Sequence, residues 1–389
     1  MLRFLTAGES HGPVLTTIID GLPAGVPITE EYISRQLVRR QAGYGRGKRM
    51  QIENDRARIT SGVRGGLTLG SPVTVEISNR DWRNWQEIMA SGREAQVDQR
   101  KVTRPRPGHA DLAGGIKYRH EDLRNILERA SARETAARVA AGALSRALLE
   151  AVDINIVSHV IQIGKAKLDR IPSLEEIINN AQASELLCVD AEVEAKMVRE
   201  IDLAKEAGDT LGGVIEILAW GVPVGLGSHV QWDRRVDGEL AQAVMSIPAV
   251  KGVEIGMGFA TAASHGSQAH DEIFYDPGKG YFRQTNRAGG TEGGITNGET
   301  VVIRAAMKPI PTLMQPLRSV DIKTKLPSVA SVERSDVCAV PAAAVVAEAM
   351  VAFVLARSLL ATLPADHLEV LREYVKRHRT SWKEIGNEN

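Results

Sequence analysis

Aromatic side chains are scarce: phenylalanine, tryptophan and tyrosine together make up 4% of the 389 residues. A surface that binds single strands by stacking needs such platforms, so that class is disfavoured. Net charge is also lacking. Lysine plus arginine and aspartate plus glutamate stand at 48 each, for +0 at pH 7. A general polyanion binder carries a basic excess, so any arginine that meets an anion here acts locally. The two cysteines, Cys188 and Cys338, lie far apart without metal-ligand spacing. That argues against a disulfide framework or a zinc site and favours a reducing cytoplasm. The first residues, MLRFLTAGESHG, hold too short an apolar run for a signal sequence. The most apolar stretch, 337–361, is interrupted by Glu348 and Arg357 and reads as a buried or interface helix, not a membrane span.

Glycine, by contrast, is plentiful at 36, which implies many tight turns and close backbone approaches. Strand patterns cover 2–7, 14–19, a hairpin or meander over 57–77, 152–164, 212–220, 251–259 and 299–307. Helical patterns cover 29–41 with Thr29 as N-cap, a short stretch at 81–90, then 173–184, 190–207, 236–247, 341–362 and 365–378. Residues 91–103 read as an exposed loop. Residues 165–210 read as a surface excursion, the part least expected to touch a site. No repeat, low-complexity linker or heptad run is present, so 1–389 reads as a single domain. Strands cluster as neighbours instead of alternating with helices, which favours α+β with antiparallel sheets.

The chain is organised around 104–143. Arg104-Pro105-Arg106-Pro107-Gly108 is a stiff, basic turn that presents His109 and Asp111. Gly114-Gly115 is expected to separate it from one long small-residue helix carrying Arg129, Arg133, Glu134 and Arg138. Most helical arginines are simply solvated. Here a rigid turn with Arg and His beside a closely packed helix suggests an anion site.

Other segments supply matching groups. GESHG (8–12) fits the nucleophile-elbow pattern, although it follows the first strand and has a histidine directly after Ser10. A serine hydrolase is therefore the alternative reading. GYGRGKR (43–49) is not a P-loop, because Ala42 replaces the first glycine and Arg49 the Ser/Thr. Its arginines, with Arg39 and Arg40, suit bidentate contact with phosphate or carboxylate; a solvated basic loop is the plain alternative. The loop 286–298, followed by a strand and KPIPT (308–312), offers backbone donors and acceptors to a flat polar ring. Glu333-Arg334-Ser335-Asp336 alone would be an ordinary surface ion pair.

Together these segments are more specific. GESHG, RRQAGYGRGKRM, TSGVRGGLTLGSP, RPRPGHADL, LERASARET, GVPVGLGS, GGTEGGITNG, MKPIPT, SVDIKT and VERSDVCAVPAA occur in this order over nearly the whole chain. The sequence resembles the chorismate synthase family, most weakly at 91–101, 165–210 and the tail. The resemblance implies a β-α-β sandwich with helices packed between antiparallel sheets, and a cytoplasmic homotetramer. It also implies a lyase of the shikimate pathway to aromatic amino acids. The substrate would be 5-enolpyruvylshikimate 3-phosphate, the reaction an anti 1,4-elimination of phosphate giving chorismate, and the cofactor reduced FMN. No nucleic acid or membrane partner is implied.

The same resemblance implies roles residue by residue. His109 would stand by the leaving phosphate, His11 by the flavin, and Asp336 would act as a base working through flavin N5. Ser10, Arg40, Arg46, Arg49, Arg106, Arg133 and Arg334 would bind substrate, with Arg40 and Arg46 also open to NADPH contact. Arg129, Ala130, Ser131, Pro248, Ala249, Gly293, Lys308, Pro309, Ile310, Pro311, Thr312 and Arg334 would hold FMN; no metal is implied. Ala130 and Pro248 depart from the Ser and Asn that many relatives carry. Each departure would weaken FMN by about 0.5–1.5 kcal/mol if the contact runs through the side chain, and by nothing if it runs through backbone. NADPH is a candidate reductant, with an external flavin reductase as the alternative.

Overall fold

Two small-residue helices, Thr135–Glu150 and Val340–Thr362, lie side by side between two antiparallel sheets. The computed structural model describes residues 1–47, 54–333, 335–381 and 385; Arg49 and Arg334 lie outside these. The first sheet has the order Arg3–Ala7, Val14–Asp20, Val73–Ser78, Ala57–Ser61. The second has the order Val250–Ile255, Val301–Met307, Gly213–Trp220, Asn155–Ile163, Ala166–Lys167. Every pairing in both is antiparallel. The expected α+β class and β-α-β sandwich are what the structure shows.

Alternation along the strands builds the core. Leu15, Thr17 and Ile19 face inward from the first sheet, while Ile18 faces solvent. Thr17 Oγ1 donates to the Ala137 carbonyl at 2.6 Å, fastening the sheet to the first helix. Ile215, Ile217, Val301 and Ile303 are buried in the second sheet. The two helices meet at Gly142. A Cβ there would stand 2.3 Å from Ala349 Cβ and 2.4 Å from its Cα. Glycine inside a helix costs about 1 kcal/mol relative to alanine, yet alanine here would strike backbone, so glycine is required for the close approach.

The Val340–Thr362 helix is apolar on every side because every side is covered. It is long and apolar enough to cross a membrane, but 89% of its apolar window is buried within the protein. Glu348, in its middle, is satisfied completely. Arg39 grips it with Nη1 at 2.6 Å and Nη2 at 2.8 Å, Arg146 Nη1 donates at 2.7 Å and Ser158 Oγ at 2.6 Å. One carboxylate thus ties together three helices and a strand.

Several expectations need correction. Gly114-Gly115 lies inside a helix, Asp111–Tyr118, where missing side chains admit Ile126 and Leu123. The long helix is three pieces, Arg124–Ala130, a 3-10 turn Ala132–Glu134 and Thr135–Glu150. Ser131 interrupts it with extended backbone, φ −65 and ψ 141, and its hydroxyl caps the next turn. Residues 81–90 hold only a 3-10 turn, Arg80–Asn84. The 165–210 excursion reaches the border of the site: Tyr44 Oη donates to Asp202 at 2.7 Å, and Ile201 packs under Gly45.

Glu348→Ala leaves two arginines short of their buried partner and should cost about 3–5 kcal/mol in urea unfolding at neutral pH. Burial raises this carboxyl, but Arg39 and Arg146 outweigh it and hold it at about 2, against an ordinary 4.5. A depressed folded value means the contribution is complete above 4.5 and lost as pH falls toward 2. The gap between wild type and variant should therefore close across that window; a constant gap would show that packing, not charge, sets the difference.

Candidate active site

Both central helices begin at the wall of a cavity of about 530 Å³, where Thr135 and Ala339 meet it. Helix N-termini present unpaired N–H groups and partial positive charge. The break at Ser131 turns Ala130, Ser131, Ala132 and Arg133 into the same wall. The basic turn closes another side. His109 N–H donates to the Arg106 carbonyl at 3.2 Å, and Gly108 has φ +80, so Pro107-Gly108 form a type II turn.

That turn holds a tight cluster. Buried Arg106 forks onto Asp111 through Nε at 2.8 Å and Nη2 at 3.1 Å, and donates to Thr312 Oγ1 at 2.9 Å. His109 Nδ1 donates to Asp111 Oδ1 at 2.6 Å. Burial raises the Asp111 carboxyl, but the bonds from His109 and Arg106 outweigh it and hold it well below the ordinary range. Arg106 Nη2 lies 3.1 Å and 3.3 Å from the two His109 ring nitrogens.

His11 is built the same way. Its Nδ1 lies 2.8 Å and 3.0 Å from the two Glu128 oxygens, and its backbone N–H donates to Glu128 Oε2 at 2.8 Å. The ring stacks on Trp85 with centroids 4.0 Å apart. Arg100 and Arg124 also lie over Trp85, at 4.5 Å and 5.1 Å.

A third group is buried Asp55, gripped by Arg133 Nη1 at 2.6 Å and 2.7 Å and by Arg40 Nη2 at 3.1 Å. Burial pushes the Arg40 guanidinium down to about 10, and its Nε has no hydrogen-bond partner among the described residues. An anionic ligand would satisfy that donor. Arg46 Nη1 meets Asp336 Oδ2 at 2.8 Å, and Gly47 N–H donates to Asp336 Oδ1 at 2.6 Å. The lining also includes apolar Ile247, Pro248, Met307, Ile310, Ala342 and Val346. The cavity thus offers cations for a polyanion and apolar surface for a flat ring.

A chorismate synthase family model matches residues 2–360. The chain is 63% identical over 370 residues to the chorismate synthase of Desulforamulus reducens, covering 95% of this chain and 96% of that one. It is 62% identical over 385 residues to that of Moorella thermoacetica, covering 99% and 100%. The chain belongs to the chorismate synthase family. A solved chorismate synthase crystal structure superposes with a TM-score of 0.79 at 45% identity, covering 99% of both chains. Membership makes the chain a phosphate-eliminating lyase of the shikimate pathway to aromatic amino acids.

Most residues carried over from the chorismate synthase pattern converge on this cavity. Ser10, His11, Arg40, Arg46, Arg106, His109, Arg133 and Asp336 line it, as do Ala130, Ser131, Pro248, Ala249, Lys308, Ile310, Pro311 and Thr312. Three do not. Arg129 turns away, donating to the carbonyls of Gly8 at 3.0 Å and Thr6 at 2.9 Å. Gly293 is exposed at the tip of a small hairpin, and Pro309 faces outward between inward neighbours. Ser10 Oγ donates to Ser131 Oγ at 3.0 Å and not to an imidazole, so the hydrolase alternative has no support.

Sequence reasoning missed Asp55, Asn79, Trp85, Arg100 and Glu128. Arg133 Nε donates to Asn79 Oδ1 at 2.8 Å. Glu128 sat in plain view within LERASARET, but nothing in a linear motif shows which imidazole a carboxylate faces. Trp85 and Arg100 come from the segment read as helix and loop.

Pro248-Ala249 repeats the Pro107-Gly108 geometry. Val250 N–H donates to the Ile247 carbonyl at 3.1 Å and Ala249 has φ +70, again a type II turn. Proline therefore fits its turn position, and alanine occupies the one that favours glycine. Left-handed alanine carries about 1–2 kcal/mol of strain, more than the roughly 0.4–1 kcal/mol of added chain entropy that glycine brings. Ala249→Gly should raise stability by about 0.5–1 kcal/mol in urea unfolding. A loss would mean that the Ala249 methyl packs well enough to outweigh the strain.

Proposed function

We propose that this chain converts 5-enolpyruvylshikimate 3-phosphate to chorismate and inorganic phosphate by anti 1,4-elimination, with reduced FMN bound in the same cavity. One observation carries the reading: two histidines, each with Nδ1 on a buried carboxylate, share one cavity with Asp336, several arginines and a set of apolar residues. The substrate bears a phosphate and two carboxylates, which several guanidinium groups suit. The apolar residues, with Pro248-Ala249 and 310–312, suit the flavin ring. Backbone, not side chain, is what Ala130 and Pro248 offer there.

In the elimination the carbon–oxygen bond to phosphate breaks, phosphate leaves with the electron pair, and the ring loses a proton. Reduced flavin supplies an electron-rich partner that assists the departure. His109, with Nδ1 committed to Asp111, is the proton donor proposed for the leaving phosphate, and Arg106 adds fixed positive charge beside it. Asp336, held by Arg46 and Gly47, is the proton acceptor. His11 stands toward the flavin. Arg40, buried and tied to Asp55, and Arg133 are proposed as substrate contacts; the NADPH use of Arg40 and Arg46 is left to the assay below. The homotetramer is proposed from family membership alone. Free Cys188 and Cys338 support a cytoplasmic setting.

An anaerobic assay with photoreduced FMN, oxidised FMN alone, and oxidised FMN plus NADPH tests the reading. Chorismate only with pre-reduced FMN establishes the elimination and an external reductant. Product with oxidised FMN plus NADPH adds reductase activity. No product with reduced FMN, when FMN binding is confirmed, overturns the proposal. His109→Ala should cut turnover by about 100-fold or more while FMN affinity holds; parallel loss of both would remove its place by the phosphate. Asp336→Asn should slow chemistry with substrate affinity nearly intact, and wild-type turnover in that variant would remove the base.

A further inference from the structure

His11 matters only within the elimination reading above, and the structure shows what holds its ring. We propose that Glu128, backed by Arg124, is the positioning residue for His11, fixing the tautomer that leaves Nε2 open toward the cavity. Glu128 is 2% exposed. Its carboxylate takes both the backbone N–H and the Nδ1 of one residue, a two-point grip that sets the ring's position along the chain and its rotation together. Ser10 N–H donates to the Glu128 carbonyl at 2.9 Å, tying the same two segments through backbone. The Trp85 stack closes one face of the ring. Arg124 Nη1 lies 3.3 Å from Glu128 Oε1 while its Nη2 holds Glu333 at 2.9 Å.

A buried carboxylate against Nδ1 requires the proton there. Burial raises the Glu128 carboxyl, but the His11 contacts and Arg124 outweigh it and keep it ionised below its ordinary range. Nε2 has no hydrogen-bond partner among the described residues. The Arg124–Glu128–His11 and Arg106–Asp111–His109 chains therefore repeat one device on two sides of the cavity.

The first test needs no variant. In protein labelled with ¹⁵N at histidine, the His11 signals are identified by their loss in His11→Gln. A protonated Nδ1 is expected wherever the ring is neutral; a dominant Nε2–H tautomer overturns the proposal. Glu128→Gln supplies the second test, since an amide offers one acceptor oxygen where the carboxylate offers two. Turnover should fall about 100-fold, with substrate KM and oxidised-FMN binding within about threefold. Because Glu128 acts through His11, the double variant should be no slower than His11→Gln alone by more than about threefold. Multiplied losses, or wild-type turnover in Glu128→Gln, overturn the proposal. Wild-type turnover in His11→Gln instead removes the role given to His11, while the tautomer spectrum still judges Glu128.

Discussion

The close approach of the two central helices at Gly142 and Ala349 is the constraint on which the rest depends. Both helices start at the cavity, where Thr135 and Ala339 line it, so this contact fixes how the two helix starts sit against each other. Both sheets rest on this pair. Glu348, the residue before Ala349, holds Arg146 of the Thr135–Glu150 helix and Arg39 of the chain's first helix. Arg40, the next residue, is thereby placed at the cavity. The core and the site are set by the same contacts.

Much of this was legible in the chain. Period-two runs marked the strands, and Thr29 marked the first helix, because those signals are local. Tertiary contact decided the rest. Ser131 looked like one more small residue on a helix, yet it breaks that helix, since its hydroxyl and extended backbone serve the site better than one more turn would. Gly114-Gly115 looked like a separator, yet it is a packing notch for Leu123 and Ile126. Helical periodicity is the same in both cases, so sequence alone does not separate them.

The site divided along a similar line. Histidines, arginines and Pro-Gly turns stood out by residue type and family pattern. Their partners stood out less: Asp111 was visible beside His109 in the basic turn, but Asp55 and Glu128 are ordinary acids until the fold shows what each one faces. Arg129 is the converse, a residue of the right type in the right motif whose guanidinium caps the edge strand through Thr6 and Gly8. Arg100 fell in a region of weakest resemblance and Trp85 before it, and only the fold brings them to His11.

Asp55, Asp111 and Asp336 already hold Arg40, Arg133, Arg106 and Arg46, three carboxylates against four guanidinium groups. Among the described residues, these guanidinium groups hold their orientation before any ligand arrives. A small inorganic ion reaches one such pair and must compete with a carboxylate fixed at contact distance. A rigid molecule bearing several anionic groups reaches several pairs at once and shares each cation. A wall held in this way would respond to the spacing of negative charges on a ligand as well as to their number.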